Sequence, residues 1–158
     1  MGEAVAGGRA AAYKAGLMAH TFPSSEWTAA YKDAVNGNAA YREAGKAWTH
    51  GAVAFVVEKD AALGLHKDAA LILDVHGGEC RAAHWVERAV AESDAPFVIV
   101  GKYDRWKDVI TGKEDPIKSM MQNKLRLMKG HLPTVIRYGE SARQLVKSAA
   151  NVDSLWLA

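Results

Sequence analysis

Apolar residues along the chain recur first at helical spacing, then at strand spacing, then at helical spacing again. From Trp27, the positions Ala30, Tyr31, Ala34 and Val35 fall on one face of a helix, the three-to-four-residue repeat of an amphipathic segment. Ser24-Ser25-Glu26 supplies its start, with a capping hydroxyl and an acid in the first turn. Asn36-Gly37-Asn38 stops it, where glycine or asparagine is expected to give a left-handed cap. A second short helix is predicted through Ala40, Tyr41, Ala44 and Trp48.

The middle of the chain reads as strands. Residues 52–57 form a β-branched and aromatic run, and Leu71, Leu73 and Val75 alternate with Ile72, Asp74 and His76. His76-Gly77-Gly78-Glu79 is a hairpin signal, and residues 80–86 make the return strand. Residues 60–68 are expected to be a loop. Phe97-Val98-Ile99-Val100 is apolar on both faces, as a central buried strand is.

Helical spacing then returns. Asp104 can cap a helix bearing Trp106, Val109 and Ile110, which Gly112 ends. Asp115-Pro116 places a cap before a proline at the first helical position. Ile117, Met120 and Met121 share a face of that short helix, and Asn123 ends it. Residues 124–127 alternate as a fifth strand, closed by Gly130. A last helix is predicted over 132–149, with Leu132, Val135, Ile136, Ala142, Leu145, Val146 and Ala149 on one side. Strands are mostly consecutive and hairpin-linked, which favours an α+β fold with a five-stranded, mainly antiparallel sheet covered by helices.

Bulk properties narrow the function. The chain of 158 residues suits one domain with one core. Residues 1–22, rich in Ala and Gly, read as a flexible or helical arm, and residues 23–158 as the domain. Twenty basic and 18 acidic residues, a net +2, are spread without a basic block, so no nucleic-acid partner is expected. Cys80 is the single cysteine, so a reducing compartment is expected. No signal peptide, myristoylation pattern, membrane span or Ser-Lys-Leu terminus is read, and a cytoplasmic location follows as the expectation.

Three constellations invite chemistry. His76, Glu79, Cys80 and His84 resemble a metal set, but one Cys and two His fall short of a tetrahedral site. Cys80 as a nucleophile needs a lowered pKa that its neighbours do not supply, and a packed thiol is the simpler reading. Asp74 and His76 alternate onto one strand face and are the only suspects for a small acid-base enzyme. No nucleophile elbow, phosphate loop, metal or cofactor motif occurs. What stands out is soft apolar surface: five Trp and five Met, two of the latter adjacent at Met120-Met121.

Several blocks resemble one family. They are Glu26-Trp27-Thr28-Ala29-Ala30-Tyr31, Asn36-Gly37-Asn38 with Tyr41 and Trp48, Gly78-Glu79-Cys80-Arg81-Ala82-Ala83, and the Phe97–Val100 strand leading into Tyr103-Asp104-Arg105-Trp106. The firmest are Val109-Ile110-Thr111-Gly112-Lys113-Glu114-Asp115-Pro116, Lys124-Leu125-Arg126-Leu127-Met128-Lys129-Gly130 and Ala142-Arg143-Gln144-Leu145-Val146. In order and spacing they resemble the sterol carrier protein (type two) lipid-binding domain, and more closely its small stand-alone prokaryotic members. That resemblance implies a five-stranded sheet whose covering helices enclose an apolar cavity. It also implies non-catalytic binding and intracellular carriage of fatty acids, acyl-CoA, sterols or phospholipids, with no cofactor and no catalytic residue to carry over.

On that footing the cavity is expected between the sheet and the helices able to lift from it, near residues 105–112 and 116–122 and the closing helix. Trp106, Ile110, Ile117, Met120, Met121, Leu132 and Ile136 are the expected lining. Arg81, Lys129 and Arg137 are the candidates to meet an anionic head group. Each methylene buried contributes about 0.8 kcal/mol, less the costs of association and ordering. Lipid is the expected partner, with transient membrane contact. Two alternatives stay open: a module that delivers substrate to an enzyme or forms a homodimer, using the terminal Leu155-Trp156-Leu157, and the Asp74/His76 enzyme.

Overall fold

A computed structural model describes residues 19–158; most of the expected arm, residues 1–18, lies outside the described residues. His20–Thr21 forms strand β1, and Phe22, expected in the arm, is buried in the core.

Helix α1, Ser25–Asn36, starts where the sequence places it: the Ser24 side chain accepts from the Trp27 amide at 3.0 Å. Its stripe buries Trp27, Thr28, Tyr31 and Val35. The break after it needs no left-handed residue, because Gly37 has φ −84°. Asn38 instead caps helix α2, Ala39–Ala44, its side chain accepting from the Ala40 amide at 3.0 Å. Trp48 lies beyond this helix in the following turn.

Strands β2 (Val53–Val57), β3 (Ala69–His76), β4 (Glu79–Val86), β5 (Phe97–Gly101) and β6 (Leu125–Lys129) build one sheet in the order β4-β3-β2-β5-β6. Three of its pairs are antiparallel; β2 and β5 run parallel. A parallel neighbour needs a crossover, and helix α3, Arg88–Asp94, supplies it between β4 and β5. No apolar period announces α3; its buried residue is Ala91. The Gly77-Gly78 hairpin forms as read, with φ of 60° and 89°. A Cβ on Gly78 would stand 2.3 Å from the Arg42 carbonyl, so the turn packs directly on the end of α2. Residues 60–68 form the expected connection, which includes a 3₁₀ turn over Ala61–Leu63.

Helix α4 (Tyr103–Ile110) and helix α5 (Pro116–Met121) follow β5. The Asp115 side chain caps α5 through the Lys118 amide at 2.9 Å. The closing helix is two helices: α6, Leu132–Arg137, and α7, Gly139–Ala149. They part at Tyr138, whose ψ of 35° leaves the helical range. Strand β7, Ser154–Leu155, returns beside β1 in parallel.

The sheet has unequal faces. Phe55, Leu71, Leu73, Val75, Phe97 and Ile99 point to a large core shared with α1, α2, α4, α5 and α7. Ala54, Val56, Ala70, Val98 and Val100 point to a small core under α3.

Candidate functional site

The large core is hollow. Inward strand positions form a floor: Val53 and Phe55 of β2, Val75 of β3, Phe97 and Ile99 of β5, Leu125 of β6. Opposite stand Trp106 of α4, Pro116 and Met120 of α5, Val135 of α6, and Ala142, Leu145 and Val146 of α7, with Tyr41 and Trp48 at the side. The space between them is apolar and opens to solvent. Among the described residues no charged side chain lines it; the polar groups there are the hydroxyls of Tyr41, Tyr138 and Ser141 and the Trp N–H groups.

The Tyr41 hydroxyl is held neutral, and both indole N–H groups are satisfied. Burial first, then the nearby Cys80, pushes the Tyr41 hydroxyl up to about 12. The Trp48 indole donates to the Gly51 carbonyl at 2.9 Å, and the Trp106 indole to the Val56 carbonyl at 2.8 Å. Cys80, beside the cavity floor, is buried and its thiol is pushed up to about 11 by burial. A thiol so raised is no nucleophile at neutral pH.

Charges stay at the rim. Asp115 binds the Arg143 guanidinium at 2.7 Å. Burial raises the Asp115 carboxyl, but the Lys118 amide and Arg143 outweigh it and hold it below the usual carboxylate range. At the other side, His50 stands 5.1 Å from the Tyr138 ring and 5.0 Å from Trp48, while Arg137 lies 5.9 Å over Tyr138.

Of the residues expected to line the cavity, Trp106 and Met120 do so. Ile110 lines a smaller adjoining void instead. Ile117 is buried and Leu132 half-buried in the surrounding core without facing the cavity. Met121 and Ile136 point outward, 64% and 43% exposed. The reason is a one-residue rotation: Pro116 and Met120 face inward on α5, about 100° round from the Ile117/Met121 stripe. On α6 Val135 takes the inward place and its neighbour Ile136 turns out.

The head-group candidates divide likewise. Arg81 is the extra residue of a bulge in β4 and pairs with Asp74 at 2.9 Å on the α3 side of the sheet, away from the cavity. Lys129, opposite Val98, donates to the Glu92 carbonyl of α3 at 2.8 Å on that same side. Arg137 alone stands beside a lining residue, Tyr138. Asp74, the acid of the Asp74/His76 enzyme reading, pairs with Arg81, and the bulge sends Cys80 and His84 to opposite faces. Among the described residues no group of three or more potential ligands could hold a metal ion, and no helix is long and apolar enough to cross a membrane. The tail turns back on its own chain: Trp156 packs 5.4 Å from Phe22, and the Leu157 amide donates to the Tyr103 hydroxyl at 2.8 Å.

The floor residues and the aromatic side wall escape a sequence reading that assigns the lining to helices alone. Their signal is present in the alternation of β2, β5 and β6, whose inward residues serve core and cavity alike.

The profile of the SCP-2 sterol transfer family matches residues 32–135. The chain belongs to that family. A crystal structure of sterol carrier protein 2 is 35% identical over 82% of this chain and 97% of its own, with a TM-score of 0.74. The solution structure of a conserved hypothetical protein from Thermus thermophilus, described as possibly a sterol carrier protein, is also 35% identical, over 84% and 90%, with a TM-score of 0.74. Sterol carrier protein 2 from Yarrowia lipolytica, in its apo form, shares the fold at 19% identity, over 82% and 94%, with a TM-score of 0.52. No curated protein matches the chain significantly. Within the SCP-2 frame, the hollow between the sheet and α4–α7 is the feature that a lipid-transfer family calls for.

Proposed function

We propose that this chain binds a lipid and carries it without chemistry, the acyl or ring portion lying in the cavity under α4–α7. The observation that carries the reading is the absence of charge among the described residues of the cavity wall, in a chain of the SCP-2 family. Apolar ligand surface is drawn in at about 25 cal/mol per Å², while a charged end entering the same space would lose its hydration. A head group therefore stays at the rim, where we assign Arg137, with Tyr138 and His50, to meet it. Trp106 and Met120 are the lining residues we assign from the expected set. The exposed Met121 and Ile136, on the outer faces of α5 and α6, are assigned to brief membrane contact.

Native mass spectrometry of the protein as purified, followed by delipidation and titration with a fluorescent fatty acid, tests the reading. Co-purified lipid and saturable uptake are the expected outcome. A protein that is empty on purification and takes up neither fatty acid nor a fluorescent sterol refutes it.

A further inference from the structure

The apolar interior is divided. A second, smaller apolar void adjoins the cavity and shares three wall residues with it, Phe55, Trp106 and Val146. Its far side is shut by aromatic rings: Phe22 and Trp27 lie 4.7 Å apart at their centroids, Trp27 and Tyr31 4.9 Å, and none of the three is more than 2% exposed. Closed on that side by buried rings, the second void is a blind chamber beside the first among the described residues.

The wall between the chambers is fixed. The Trp106 indole is pinned by its bond to the Val56 carbonyl at 2.8 Å, and its ring lies 4.7 Å from Phe55. Swinging the indole aside would leave its N–H in apolar surroundings without an acceptor. The one hydroxyl on the blind chamber's wall, that of Tyr31, is already committed to the Leu145 carbonyl at 2.7 Å.

Resting on the carrier reading above, we propose that the Phe55–Trp106–Val146 wall sets the length of acyl chain this protein accepts, with Trp106 as its specificity-determining residue. Methylenes up to the wall are buried; those beyond it find the blind chamber closed and remain outside at the mouth. Ile110, on the blind chamber's wall, then contributes nothing to binding unless the wall is cut.

The test is the chain-length dependence of affinity, read by displacement of a fluorescent fatty acid with saturated fatty acids stepped by two carbons, on delipidated full-length protein. For the wild type, affinity is expected to rise about fourfold per methylene up to a break and then to stop rising. Trp106→Ala is expected to move the break to longer chains. Val146→Ala, a milder cut in the same wall, moves it the same way by less and covers the case in which Trp106→Ala does not fold. A wild type that gains through the whole series without a break overturns the proposal, as do foldable variants that keep the wild-type break. If no fatty acid of any length binds, the carrier reading itself falls for this ligand class, and the length gauge with it.

Discussion

The Tyr31 hydroxyl donates to the Leu145 carbonyl at 2.7 Å, fully out of solvent. This bond ties α1 to α7, the helix that walls the cavity along its length. Tyr31→Phe removes the donor without changing the ring, and a lost buried hydrogen bond costs about 1 kcal/mol. The expected result is a lower urea midpoint with an unchanged slope.

Alkaline pH should loosen the fold. Burial pushes the Cys80 thiol up to about 11 and the Tyr41 hydroxyl up to about 12, and raises the Tyr31 hydroxyl as well. The folded chain keeps these protons where the unfolded chain releases them, so the unfolded state binds fewer protons as pH rises. Their contribution is complete below the ordinary thiol value of 9.0 and is lost as pH climbs through the folded values. Urea titrations repeated upward from neutral pH are expected to be level until about pH 9 and then to show falling stability. A thiol reagent is expected to label Cys80 only after unfolding.

Filling the hollow should weaken uptake where crowding the outside does not. Ala142 lines the cavity from α7. Ala142→Trp, displacing the room of at least two methylenes, is expected to weaken fatty-acid binding about tenfold or more. Met121→Lys, a lining change by sequence pattern, sits on a side chain 64% exposed and is expected to leave uptake unaltered. Fluorescence titration of both variants decides the matter.

Arg137 meets no carboxylate within ion-pair distance among the described residues. If it receives a head group, Arg137→Gln will weaken a fatty acid but not its methyl ester. An exposed pair contributes up to about 1 kcal/mol, so a loss of about fivefold is expected for the acid. Competition titrations with the two ligands read the difference, and equal losses for both would remove Arg137 from the site.

Much of the fold is legible in the chain. The Asp115-Pro116 start, the Gly77-Gly78 hairpin and the central Phe97 strand are local signals, and local chemistry decides them. What escapes a sequence reading is set by neighbours. Helix α3 has no large apolar stripe because it lies on alanines, so no period reveals it. The bend at Tyr138 sets its ring beside Trp48 and His50, and a continuous apolar pattern runs straight through it. The bulge beside Asp74 shifts every face assignment along β4, separating Cys80 from His84. The cavity is foreseen, yet its floor is not, since no spacing distinguishes a strand residue that touches a neighbour from one that touches a void.

The layer of Ala54, Ala70, Ala91 and Ala95 beneath α3 has a mechanical consequence. Small side chains bring helix and sheet backbones close, and such contacts are dense and scarcely compressible. The opposite layer is built from large rings around open space. If a guest enters, the strain is expected to fall on α4–α7 rather than on the sheet and α3, which form the stiffer bed. Amide hydrogen exchange is expected to register this asymmetry, with β2, β5 and α3 slow in both states and α5 and α6 slowing when the guest enters.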